Sequence, residues 1–139
     1  MRRIAFGPRL LLLVAAAAIC GVLVAWAAHP LISEVVGQWE VSRAYSSLEI
    51  PNGWTRQSAP TVRVLDDGGV LLTAVYKVDD APDSAVRNFI VMAQSREWKV
   101  MGSSPDLSSV RLERDGVSLG VAILGSDARV VRLDIVRNG

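Results

Sequence analysis

Histidine and cysteine are almost missing from this chain: His29 and Cys20 are the only ones among 139 residues. Both lie in the first thirty positions, so from Pro30 onward neither an imidazole nor a thiol is available. That excludes Ser–His–Asp and Cys–His nucleophilic arrangements there, and zinc sites built from Cys and His. A lone cysteine also rules out a disulfide within the chain, so any fold must stand on packing alone. Aromatic residues are sparse at 6%. No phosphate-cradling glycine pattern occurs; Gly68-Gly69 reads as a turn. Enzymes that use only carboxylates stay open on residue type, yet the acids cluster at expected turns and helix starts. No enzyme activity, cofactor or metal is expected.

Charge is scarce in one place. Leu10 to Ala28 holds no charged residue, and Cys20 is its only polar candidate. As a helix these 19 residues would span ~28 Å, close to the ~30 Å hydrocarbon core of a bilayer. Residues 1–9 contribute Arg2, Arg3 and Arg9 before the run, while only Arg43 follows soon after. This bias places the N-terminus in the cytoplasm and the rest outside it. The expectation is a single-pass inner-membrane signal-anchor at 10–28. Cleavage after Ala27 is the alternative, since Ala25-Trp26-Ala27 satisfies the small-x-small rule, but the run exceeds the usual h-region. Ala17, Gly21 and Ala25 recur every four residues along one helix face, where small side chains let a partner transmembrane helix approach; an alanine-rich run also produces such spacing by chance.

Residues 29–44 read as an amphipathic juxtamembrane connector. Ile32, Val35, Val36 and Trp39 fall at i, i+3, i+4 and i+7, the helical signature. That stripe could meet a partner, lipid headgroups or the chain's own domain.

From residue 45 to 139 the composition is that of an ordinary globular domain. It carries 11 basic and 12 acidic residues, a balance that argues against nucleic acid as a partner. Short β-rich runs stand at Leu48–Ile50, Thr61–Leu65 and Val70–Val78, the last two joined by Asp66-Asp67-Gly68-Gly69. Asp79-Asp80-Ala81-Pro82-Asp83 opens a helix, with Asp79 or Asp80 as the expected cap and Ala85, Val86, Phe89, Ile90 and Ala93 as its apolar stripe. The same three aspartates could also ligate calcium, although capping accounts for them without a metal. Trp98–Met101 is a further short strand. Val110–Arg114 and Val117–Leu124 follow, joined by Asp115-Gly116, a hairpin turn pair. Gly125-Ser126-Asp127 turns the chain into Arg129–Val136.

Strands joined by tight turns are antiparallel, and one helix with an apolar stripe can cover one face of their sheet. The predicted fold is therefore α+β: an N-terminal transmembrane helix, then a two-layer sandwich of an antiparallel sheet with one covering helix. Trp54 and Trp98 are expected in its core. Arg111 and Arg132, among Glu113 and Asp134, are expected on a polar outer sheet face. Two function classes fit. One is a membrane-anchored accessory or assembly subunit of a larger bacterial membrane complex, touching lipid and other membrane subunits. The other is an extracytoplasmic binding module for a small ligand, peptide or envelope polymer; a pocket lined by Trp54 or Tyr76 would favour it.

Overall fold

The computed structural model describes residues 34–125 and 129–138. Leu10–Ala28, the Ala17/Gly21/Ala25 series, Ile32 and the Ser126-Asp127 part of the last turn lie outside the described residues. Among the described residues, no helix is long and apolar enough to cross a membrane.

Two helices and seven strands make up this unit. Helix α1 covers residues 34–46. Strands β1 (Trp54–Arg56), β2 (Thr61–Val64) and β3 (Val70–Val78) come next, then helix α2 (Pro82–Ser95). Strands β4 (Lys99–Ser103), β5 (Ser109–Arg114), β6 (Val117–Ile123) and β7 (Val130–Arg137) complete it. All pairings are antiparallel, in the order β1-β3-β7-β6-β5-β4, with β2 sharing the β3 edge with β1. The four antiparallel steps from β3 to β4 leave those two strands running the same way. Such a pair needs a long crossover, and the 14 residues of α2 supply it.

Side-chain alternation decides which face is buried. Val70, Leu72, Ala74, Tyr76 and Val78 of β3 stand beside Val131, Leu133 and Ile135 of β7, Leu119 and Val121 of β6, and Val110 and Leu112 of β5. Over them lie Ala85, Val86, Phe89 and Ala93 of α2 and Trp98. Val41 and Ala44 of α1, with Leu48 just beyond it, belong to the same core. The sheet therefore carries two helices on its inner face, where the sequence suggested one. Helix α1 also crosses the expected 44/45 boundary, because its Gly37, Val41 and Ala44 recur at helical spacing and face the sheet.

Local chemistry explains most of the turns. Asp115 (φ 52°) and Gly116 (φ 76°) both adopt the left-handed region that a two-residue hairpin needs. In the β2–β3 turn, the Gly69 amide donates to the Asp67 carboxylate at 3.0 Å. Two expectations fail. Leu48–Ile50 is not a strand; Leu48 instead continues the α1 turn, its amide donating to the Tyr45 carbonyl at 3.0 Å. The first strand is Trp54–Arg56. Nor does Asp79 or Asp80 cap α2: the N-cap is Ala81, with no side-chain cap bond. Pro82 forces the residue before it out of the helical region, so the cap falls on Ala81 and the aspartates stand too far upstream.

Candidate functional site

Two surfaces deserve description as sites, the outward flank of α1 and the open face of the sheet. Helix α1 is held to the domain by its inner side. A Cβ built on Gly37 would lie 2.7 Å from Val70 Cγ2, so glycine permits the helix to approach β3 this closely. Glu40 pairs with Arg137 at the end of β7. Tyr45 and Tyr76 share a 2.5 Å hydroxyl hydrogen bond, and burial first, then that bond, raises the Tyr76 pKa above its ordinary value. At the helix's C-terminal end, Arg114 donates to Ser47 Oγ at 2.7 Å and to the Arg96 carbonyl at 3.0 Å. Its guanidinium also sits 4.8 Å from the centroid of the Trp98 ring. One arginine thus joins α1, α2 and β5, so Arg114 is an internal tie, unlike Arg111 and Arg132.

With that side engaged, the expected stripe points the other way. Val35 is 66% exposed, Trp39 58% and Val36 41%. The helical spacing of these residues was legible, but their direction was not. The stripe is not the face by which α1 joins its own domain; glycine and alanine, weak signals of apolarity, occupy that face with Val41. Arg43 lies over the Trp39 ring, 5.0 Å from its centroid. Ile32 of the same stripe is outside the described residues.

The second surface is the sheet face without helices. Ser118, Gly120 and Ala122 of β6 form the floor of a shallow concavity of about 500 Å³, flanked by Arg111, Arg132 and Asp134. Arg132 Nε lies 2.7 Å from Asp134 Oδ2, and the Thr73 hydroxyl donates to Asp134 Oδ1 at 2.8 Å. Arg111 donates to Ser118 Oγ at 3.3 Å. Arg132 and Asp134 thus satisfy each other, while Arg111 meets the Ser118 hydroxyl, a mixed polarity that suits a solvated antiparallel face. Trp54 and Tyr76 do not line this concavity. Trp54 packs into the inner layer, its ring centroid 5.2 Å from Phe89 and 5.7 Å from Tyr76.

Among the described residues no polar or charged residue is buried, and no group of three His, Cys, Asp or Glu is placed to hold a metal ion. Asp79 serves through its backbone: its amide donates to the Gly53 carbonyl at 3.0 Å, and its carbonyl accepts from Arg129. Asp106 has a pKa lowered to about 2 by the Ser104 hydroxyl, then by the Ser108 amide and hydroxyl. It is an exposed turn residue that closes the loop between β4 and β5. No family model matches the chain, and neither a curated protein nor a solved structure matches it.

Proposed function

We propose that this chain is a non-enzymatic accessory or assembly subunit of a larger bacterial membrane complex, anchored by residues 10–28 with its domain on the extracytoplasmic side. The observation that carries this reading is the double-sided character of α1. Its inner side is built into the domain through Val41, Ala44 and the Glu40–Arg137 pair, while Val35, Val36 and Trp39 project outward. A helix used only as a tether would need neither the buried side nor an exposed apolar flank. Under this reading the inner side of α1 belongs to the domain and its outer side to the complex. The Ala17/Gly21/Ala25 face is then available to a partner's transmembrane helix.

Gentle detergent extraction, followed by size analysis and mass spectrometry of the co-purifying proteins, tests the proposal. A defined larger assembly is the expected result, and recovery as an isolated monomer would sink it. The concavity beside Arg111 and Ser118 favours a second reading, an extracytoplasmic binding module. Under that reading, small ligands or envelope polymers shift the amide resonances of Arg111, Ser118 and Gly120 in the soluble unit, Glu34–Gly139.

A further inference from the structure

We infer that the end of the domain carrying the first turns of α1 rests on the bilayer, with Val35, Val36 and Trp39 in the interfacial layer of neutral phospholipid. This rests on the anchored reading of residues 10–28. The first argument is polarity along the helix. Of the exposed positions in its first two turns, Val35, Val36 and Trp39 are apolar and only Gln38 is polar, whereas those further along, Ser42, Arg43 and Ser46, are all polar. The apolar part is therefore the part nearest the apolar run.

The edge of the sheet agrees. Val64 of β2 is the register partner of Val70, the residue against which Gly37 packs, and both Val62 and Val64 are exposed. Of the eight large hydrophobic residues exposed among the described residues, five lie on α1 or β2. Chain length limits how far this end can stand from the membrane. Ala28 and Val35 are seven positions apart, so even fully extended chain between them reaches only ~25 Å. The Trp39–Arg43 pair suits the boundary chemically, with an amphipathic ring for the headgroup level and a guanidinium for a phosphate.

Charge identifies the kind of lipid. Arg43, Arg63, Arg114 and Arg137 at this end stand against Glu34, Glu40, Asp66, Asp67 and Asp115, with Arg114 paired to Asp115 and Arg137 to Glu40. That near balance gives no strong attraction to an anionic surface, so the contact is apolar and neutral phospholipid suffices.

The test uses the full chain with Cys20→Ser in phosphatidylcholine vesicles. Single nitroxide labels are placed at Val35→Cys, at Trp39→Cys and at Val91→Cys, an exposed control on α2. Labels at 35 and 39 are expected to be roughly fivefold less accessible than the label at 91 to a water-soluble nickel chelate, and more accessible to oxygen, which partitions into lipid. Equal accessibility at 35 and 91 overturns the inference. So does shielding from both reagents with spin–spin broadening, which would mean that a second copy covers the stripe. Water-exposed labels together with a co-purifying assembly would overturn this inference and leave the subunit reading standing. Lipid-buried labels on a protein extracted as a monomer would do the reverse.

Discussion

At the scale of single residues, two positions show how opposing effects are decided. Gly37 sits inside α1, where alanine would ordinarily gain about 1 kcal/mol of helix propensity. The added Cβ would meet Val70 Cγ2 at 2.7 Å, and Val70 is itself buried and cannot swing away. Overpacking of this kind costs about 1–3 kcal/mol, so Gly37→Ala should lower stability by about 1 kcal/mol in chemical denaturation. Pairing it with Val70→Ala should recover the helix gain but lose core burial. Asp106 gives a pH dependence. Its carboxylate is stabilised by donors from Ser104 and Ser108, so its folded pKa of about 2 lies below the ordinary 3.8. The folded state thus holds its proton less tightly than the unfolded chain. Its contribution is complete above the unfolded value and fades as pH falls through about 2. A carboxyl carbon titration should place Asp106 near that value. Asp106→Asn should narrow its stability gap to the parent as pH drops from neutrality towards 2.

At the scale of elements, the C-terminal end of α2 carries a removable cost. The Glu97 amide donates to the Gln94 carbonyl at 3.1 Å, and the Trp98 amide donates to the Ala93 carbonyl at 3.2 Å. This is a Schellman ending, with Trp98 entering the core immediately after it. Its left-handed position is filled by Glu97 at φ 69°, where a side chain costs about 1–2 kcal/mol. Glu97→Gly should therefore raise stability by up to about 1 kcal/mol after glycine's greater unfolded-state freedom is subtracted, read as a higher denaturation midpoint. The apolar stripe stops at Ala93, so the end of this helix is legible soon after that residue. Its beginning was harder. Three aspartates advertise a cap, yet the geometry imposed by Pro82 moved the cap to a residue with no capping side chain.

For the whole molecule, the placement of α1 sets where the domain begins. A fragment starting at residue 45 lacks Val41, wholly buried, and Ala44, and leaves Val70 and Arg137 without their helix neighbours. Losing that cover should destabilise it by several kcal/mol against a Glu34–Gly139 fragment, at ~25 cal/mol per Å² of apolar surface returned to water. Parallel urea titrations of the two fragments measure the difference, and coincident midpoints would show that α1 adds nothing to the fold. The Glu34 fragment is the compact unit and is expected to unfold in a single transition.

Alternation and turn chemistry were enough to place most strands in the sequence. Val70–Val78 alternates cleanly, Asp115-Gly116 admits little but a tight hairpin, and the Ala85–Ala93 stripe marks α2. These signals are local, since side-chain period and backbone preference act within a few residues. The absence of imidazole and thiol from Pro30 onward was equally plain. What only the tertiary structure decided is which side of α1 turns inward. Both flanks of that helix are apolar enough to bury, and the choice fell to shape. Gly37 and Ala44 are small enough to bring the helix onto β3 and β7, while Trp39 and the two valines are left facing out. Close packing, not hydrophobicity, settles that orientation, and it can be read only once the sheet against which the helix packs is in place.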